Sequence, residues 1–363
     1  MKTIVLIVRG DVNISPTVPN YLSAFVRLGL KVFCVCSSVN DDSKIDGVTY
    51  FSIGYGHSKN RGRKLLNYYL FGSAAAKLLR NNSALSNVDF VWVSRIDTAL
   101  CLGRSKKSNK SILALHELHD AYPIWKFITR YVIKSYSGVV YNEYNRAQIG
   151  RVFYNLMRLP YVIPNKPAVH PREKSCFISD DSIRVEIESL NDKFLIVYQG
   201  SLEHDRNLMP LVKAVKNLGE KFHLIIMGKD PHDRVSQFLA ENENILYIPW
   251  VLPPNHLNIT SHCHLGVAFY DVDCLNSIYC APNKIWEYSG FGIPVLGQNI
   301  PGLLNTVAQN RFGICVELDD IHVISKSISE IYNDYEVYRA NASQFYDSVD
   351  FDLLVSDVLE DIS

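Results

Sequence analysis

No apolar run in this sequence of 363 residues approaches the roughly 20 residues that a membrane-spanning helix needs. The first apolar stretch, Ile4 to Val8, is followed closely by Arg9 and Asp11. It is too short for the core of a signal peptide and predicts a buried first strand. The expectation is a cytoplasmic protein. Paired cysteines are missing too. Cys34, Cys36, Cys101, Cys176, Cys263, Cys274, Cys280 and Cys315 form no C-x-x-C, and His262-Cys263-His264 is the nearest approach to a ligand cluster. No metal is expected, and the thiols are expected to be buried and reduced. Net charge is also absent, since 37 Lys and Arg balance 37 Asp and Glu.

That balance hides an uneven distribution. Residues 1–170 carry 23 Lys and Arg against 9 Asp and Glu, whereas residues 171–363 carry 14 against 28. The basic residues are bunched, as Lys59, Arg61, Arg63 and Lys64, as Arg104, Lys106, Lys107 and Lys110, and as Lys126, Arg130 and Lys134. Aromatic residues lie beside them: Tyr68, Tyr69 and Phe71, then Trp125, Phe127 and Tyr131. Basic and aromatic side chains together suit an anionic lipid surface. Nucleic acid would feel the same charge, but no nucleic-acid motif accompanies it, so nucleic acid is not expected as a partner.

With 47% hydrophobic and 20% charged residues, the chain can bury sizeable cores, and its length suits two domains. Strand-like segments alternate with helix-like ones. In the first half, Thr3 to Val8, Lys31 to Val35, Val88 to Val93, Ile112 to Leu115, Gly138 to Tyr141 and Tyr161 to Ile163 are strand-like. Pro19 to Leu28, Leu65 to Leu79 and Pro123 to Ser135 are helix-like, the second with Leu66, Tyr69, Leu70 and Ala74 on one side. A polar stretch from Pro167 to about Ser189 intervenes, and the alternation restarts at Phe194. The pattern predicts an α/β protein of two Rossmann-like, doubly wound domains facing each other across a cleft. The expected divisions are 1–170, 171–335 and a C-terminal helical segment, 336–363, that packs back on the first domain.

The segment from Tyr279 to Leu296 carries the clearest chemistry. Pro282 stands where a helix would begin, with Asn283 and Lys284 in its first turn. A helix start offers unpaired N–H groups and partial positive charge to a phosphate, and Lys284 adds a full charge. Glu287, one turn on, is a carboxylate able to accept two hydrogen bonds from a ribose diol. Gly290 and Gly292 end the helix and lead into Pro294-Val295. The plain alternative is a solvated Lys284–Glu287 pair at one-turn spacing.

These residues, Pro282, Lys284, Glu287, Tyr288, Gly292, Pro294 and Val295 in that order, resemble the donor-site motif of GT-B glycosyltransferases. The resemblance is to the retaining family 4 (group 1) enzymes of polysaccharide and lipopolysaccharide assembly. Val197 to Leu208 is similar to that family's strand, glycine loop and helix start, which implies that Gly200 approaches the donor and Arg206 binds its diphosphate. Where the family often has a second glutamate, this chain has Tyr279. The segment near Trp250 and Val251 resembles the base-binding loop. Val162 to Asn165 resembles a V-I-P-N segment at the domain junction. His116 and Glu117, after a strand, are similar to a step facing the sugar and the acceptor, and Gly10 matches a place where backbone nears the diphosphate.

The resemblance implies catalytic roles for His116, Glu117, Arg206 and Lys284, and donor binding by Gly10, Gly200, Trp250, Val251, Tyr279, Asn283 and Glu287. It further implies metal-independent transfer, with retention, from a nucleotide sugar (UDP-linked by preference) to a glycan or lipid-linked acceptor. No cofactor is expected beyond that co-substrate. The expected place is the inner face of the cell membrane, bound peripherally. Asp271-Val-Asp273 looks like the metal-binding motif of another transferase fold, without an expected role here. A nucleotide-sugar epimerase of the same fold and a catalytically degenerate membrane-bound scaffold are the alternatives.

Overall fold

The computed structural model describes all residues except 13, 14, 16, 59, 104–109, 204–206 and 271, together with the side chains of 42 and 61. The chain divides into two compact units, Met1–Val169 with Asp350–Ser363, and His170–Val349.

In unit 1 the elements run β1 (Thr3–Asp11), α1 (Val18–Arg27), β2 (Lys31–Ser38), β3 (Val48–Ser52), α2 (Arg61–Asn81), β4 (Phe90–Ser94), α3 (Ile96–Leu102), β5 (Ser111–Leu115), α4 (Pro123–Val132), β6 (Gly138–Tyr141), α5 (Tyr144–Tyr154) and β7 (Tyr161–Val162). All neighbouring strands pair in parallel, in the order β3-β2-β1-β4-β5-β6-β7. Ile4 to Val8 of β1 are wholly buried, as a strand covered on both faces must be. Pro19, in the first turn of α1, needs no amide partner there, and Gly29 past its end takes φ +72°.

Unit 2 runs α6 (Asp181–Glu188), β8 (Phe194–Gln199), α7 (Met209–Leu218), β9 (Phe222–Met227), α8 (Val235–Glu241), β10 (Ile245–Ile248), α9 (His256–Thr260), β11 (Leu265–Ala268), α10 (Leu275–Ile278), α11 (Asn283–Gly290), β12 (Val295–Gln298), α12 (Pro301–Leu303), β13 (Gly313–Val316), α13 (Ile321–Asn333) and α14 (Tyr335–Asp347). Its parallel sheet has the order β10-β9-β8-β11-β12-β13. In each sheet the winding reverses beside the unit's first strand, between β1 and β4 and between β8 and β11. The carboxyl ends flanking such a reversal form the natural ligand crevice of a doubly wound sheet.

The chain closes with α15 (Phe351–Ile362), whose N-terminus is capped by Asp350 accepting from the Leu353 amide at 3.0 Å. Phe351, Val355, Val358 and Leu359 enter the core of unit 1, where Phe351 meets Tyr21 at a ring separation of 5.6 Å. Of the expected third segment, α14 falls in unit 2 and α15 in unit 1.

Helix α2 differs from its sequence reading. Leu66 and Tyr69 are exposed, and the buried positions are Phe71, Gly72, Ala75, Ala76 and Leu79. The cause is close approach: a Cβ on Gly72 would collide with the Cys101 carbonyl of α3, so the small-residue side turns inward.

Candidate active site

Helix α11 follows β11 and opens at the switch point of unit 2. Pro282 precedes it in an extended conformation (φ −72°, ψ 140°), and no side chain caps its first turn. Asn283 is its first residue. The Lys284 ammonium lies 4.3 Å from the ring centre of Tyr198, at the end of β8, and 5.4 Å from that of Tyr270, beyond β11. Two aromatic faces thus hold a cation at the junction of the two strands. Gly200 follows β8 with φ +139°, and a Cβ there would stand 3.6 Å from the Lys284 Nζ. The Gly200 amide donates to the Met227 carbonyl at 2.9 Å, and Gly228, at φ +154°, has no room for a Cβ because the Gly200 carbonyl occupies its place. Two adjacent strand ends thereby present bare backbone.

One turn into α11, the Glu287 carboxylate is mostly buried, its side chain 17% exposed. The Gln199 amide donates to its Oε2, and His256 Nε2 lies 3.5 Å from its Oε1. Gln199 is fixed in turn, accepting from the Thr260 hydroxyl at 2.7 Å. His170 Nε2 lies 2.9 Å from the Glu287 backbone carbonyl, and burial pulls the His170 pKa down to about 4. That ring is therefore neutral at pH 7 and donates to the carbonyl through its Nε2–H. A carboxylate offers about four lone-pair sites. With one partner at each oxygen, about two remain, the number a vicinal diol uses.

Trp250 is exposed, with the Lys229 ammonium 4.9 Å from its ring centre, whereas Val251 packs on the core. Both follow β10. Tyr279 ends α10, its amide donating to the Leu275 carbonyl at 2.9 Å. Unit 2 thus brings Lys284 beside Gly200, and α11 joins Asn283, Lys284 and Glu287. Arg206 and Asp271 lie outside the described residues. His262 and His264 engage backbone groups, the Cys176 carbonyl at 2.9 Å and the Leu195 amide at 3.0 Å. Among the described residues no group of three or more His, Cys, Asp or Glu could hold a metal ion.

In unit 1, Gly10 lies near the end of β1, where a Cβ would find its nearest neighbour, Ser15 Oγ, at 3.6 Å. His116 follows β5. Its Nε2 lies 3.2 Å from both Thr17 Oγ1, past β1, and Ser94 Oγ, at the end of β4. Its backbone carbonyl accepts from Arg146 Nη1 at 2.6 Å and Asn142 Nδ2 at 3.3 Å. Desolvation, with the nearby Arg95 and Arg146, pulls its pKa down to about 4, so the ring is neutral at pH 7. Glu117, next in sequence, is exposed.

Residues 193–334 match the family model of glycosyl transferases group 1. Those residues are thus similar to the group 1 glycosyltransferase domain. A capsular polysaccharide biosynthesis glycosyltransferase of Staphylococcus aureus, CapM, is 25% identical over 157 residues, which cover 40% of this chain and 38% of that protein. Two solved structures share the fold throughout. One is Anabaena HepE in complex with UDP-glucose, with TM-score 0.73, 10% identity and cover of 100% of this chain and 99% of that one. The other is WaaG, a glycosyltransferase involved in lipopolysaccharide biosynthesis, with TM-score 0.67, 12% identity and cover of 99% of each. Both units are thus of the GT-B type. The matched segment contains every unit-2 residue for which the sequence predicts a catalytic or donor-binding role.

Three polar residues of this domain escaped the sequence reading: Gln199, His256 and Thr260. Gln199 ends a strand and reads as the strand's polar stop. His256 sits in a five-residue helix without a clear apolar period. Only the fold places them beside Glu287.

Proposed function

We propose that the chain is a glycosyltransferase that moves a sugar from a nucleotide diphosphate, UDP by preference, to a glycan or lipid-linked acceptor in cell-surface polysaccharide or lipopolysaccharide synthesis. The observation that carries this reading is the pairing of Lys284 with the uncapped start of α11 at the switch point, one turn before a carboxylate held at both oxygens. Glu287 accepts from the ribose hydroxyls. Lys284 and the α11 amides face the diphosphate, and the sequence resemblance alone adds Arg206 to them. HepE, which shares the fold, is described in complex with UDP-glucose, in keeping with this choice of base.

In the transfer, the bond between the anomeric carbon and the diphosphate oxygen breaks, and the acceptor oxygen bonds to that carbon. The acceptor proton passes to the departing diphosphate, on the same face, so configuration is retained. Cationic groups aimed at the leaving oxygen stabilise its developing charge without a metal. Neutral His116 suits a hydrogen bond to the sugar, and exposed Glu117 suits the acceptor side.

Peripheral membrane binding is part of the proposal. Ile124, Phe127 and Tyr131 on α4 are exposed at 74%, 63% and 65%, interleaved with Lys126 and Arg130. No helix among the described residues is long and apolar enough to cross a membrane. Flotation with vesicles containing anionic lipid should lose the protein when Phe127 is changed to Ser; unchanged flotation would remove the membrane from the proposal.

The test of the donor site is a thermal-shift panel with UDP, GDP, ADP and CMP on the full chain and on Glu287→Ala. Stabilisation by one diphosphate, weakened about 100-fold in the variant, supports it. Indifference of a cooperatively melting protein to every nucleotide would sink it. Product analysis with the chosen UDP-sugar and no acceptor separates transfer from epimerisation, since only an epimerase converts the donor alone.

A further inference from the structure

Strand β1 is apolar until Arg9, whose side chain is fully buried. Burying a guanidinium costs several kcal/mol unless it is well paired. Arg9 Nη2 meets Asp97 Oδ2 at 2.9 Å, Nη1 reaches the Gly56 carbonyl at 3.4 Å, and the guanidinium lies over the Tyr68 ring at 4.0 Å. Asp97, however, lies between two guanidiniums, because its Oδ1 is also 3.2 Å from Arg95 Nε, a charge contact without hydrogen-bond geometry. The three groups together keep one positive charge uncompensated.

Arg95 immediately follows β4 and holds φ +77°, a region that costs a non-glycine residue about 1–3 kcal/mol and recurs at functional sites. Its side chain is 41% exposed, although the carboxylate it touches is buried. Arg9 Nη2 also lies 3.2 Å from His57 Nδ1. A guanidinium only donates, so Nδ1 accepts and the ring hydrogen sits on Nε2. Burial, Arg9, Arg95 and Lys64 all lower the His57 pKa, which keeps this neutral tautomer in place. Asn67 Nδ2 donates to the Gly56 carbonyl at 2.9 Å and steadies the backbone beside His57. His57, exposed, and Arg95, 41% exposed, thus both contact the buried Arg9–Asp97 pair, in which a single carboxylate is shared between two guanidiniums.

We infer that this end of unit 1 binds a phosphate group of the acceptor, with His57 Nε2–H and Arg95 as its ligands and Arg9 and Asp97 as positioning residues. The word acceptor rests on the transferase reading above; the anion site does not. Guanidinium and N–H donors suit the several oxygens of a phosphate monoester or diester. The phosphate belongs either to a soluble sugar phosphate or to a lipid headgroup.

The test is calorimetric titration of the full chain with glucose 1-phosphate, with galacturonate as a carboxylate control, beside flotation with phosphatidate or neutral vesicles. Wild type, Arg95→Gln, His57→Ala and Lys284→Ala are compared, with melting curves confirming that each variant folds. The expected result is glucose 1-phosphate binding weakened about tenfold by Arg95→Gln and several-fold by His57→Ala, and unaffected by Lys284→Ala. A loss confined to phosphatidate vesicles, in the same two variants, also supports the site and names a lipid source. Phosphate binding that follows Lys284→Ala instead, galacturonate bound as well as glucose 1-phosphate, or indifference of both probes to Arg95→Gln overturns it. UDP stabilisation, measured alongside, fails or survives independently and so separates this inference from the transferase reading.

Discussion

The two sheets wind alike but end differently. At the switch point of unit 2, backbone comes forward: Gly200 and Gly228 hold positive φ, and the Gly200 carbonyl fills the space of a Gly228 side chain. The polar groups there, Lys284 and Glu287, stand on a single helix, Lys284 against the Tyr198 ring and Glu287 against the Gln199 amide and His256. At the switch point of unit 1, side chains come forward. Gly10 has ordinary space around it, while Arg9, Asp97, Arg95 and His116 crowd the strand ends. One topology therefore yields two chemistries. Bare backbone and a helix start suit the oxygens of an anionic group, whereas clustered side chains offer several directed donors.

The units also differ in what completes them. Unit 2 closes its own core, but unit 1 borrows α15 from the far end of the chain. Removing residues 350–363 withdraws four buried apolar side chains, each worth about 1.5–3 kcal/mol, a total comparable with the whole stability of a domain. The truncated chain should lose the cooperative melt of unit 1 while keeping stabilisation by UDP. Two intact melting transitions in the truncated protein would erase this asymmetry.

A pair of glycine substitutions sharpens the backbone comparison. Gly228→Ala should destabilise unit 2 by about 2–4 kcal/mol, since both its φ and the Gly200 carbonyl oppose a Cβ. Gly10→Ala should stay within about 0.5 kcal/mol of wild type. Denaturant midpoints measure both. If Gly10→Ala nevertheless loses activity at unchanged stability, Gly10 touches the donor. If it loses neither, the sequence resemblance at Gly10 carries no function.

Helix α11 was legible in the sequence to the residue, because Pro282 forces its start and Gly290 and Gly292 favour its end. The charge on its first turns was legible for the same reason: Asn283, Lys284 and Glu287 lie within one short segment. What holds Glu287 was not, since Gln199 is 88 residues away and meets it only through the pairing of β8 with β11. The α2 face misled because apolar size pointed to Leu66 and Tyr69, while the tight approach to α3 selected Gly72 and alanines. Arg9 read as the polar end of a strand, and only tertiary burial shows it as a paired interior charge. The corresponding test in unit 2 is Glu287→Gln, which keeps the shape but replaces an accepting oxygen with a donating amide facing Gln199 or His256. UDP affinity should fall about tenfold, less than for Glu287→Ala, and an unchanged affinity would show that the ribose does not use this carboxylate.

The remaining test concerns His116. Its native pKa of about 4 lies below the ordinary value of 6.5, so the unfolded chain binds the proton more readily between those values. The stability it contributes is complete above about pH 6.5 and is lost as pH falls toward 4. His170 and His264, also pulled down to about 4 by burial, give unit 2 the same slope. His116→Gln should therefore flatten the acid limb of unit 1 alone, by on the order of 1–2 kcal/mol across that window, and leave that of unit 2 in place. Denaturant unfolding at pH 7 and pH 4.5, followed by probes in each unit, measures the difference. An acid limb in unit 1 as steep in His116→Gln as in wild type would mean that His116 is solvated enough to titrate normally. The hydroxyls of Thr17 and Ser94 would then be hydrogen-bonding a ring that charges freely, and a neutral His116 facing the donor sugar would have to be given up.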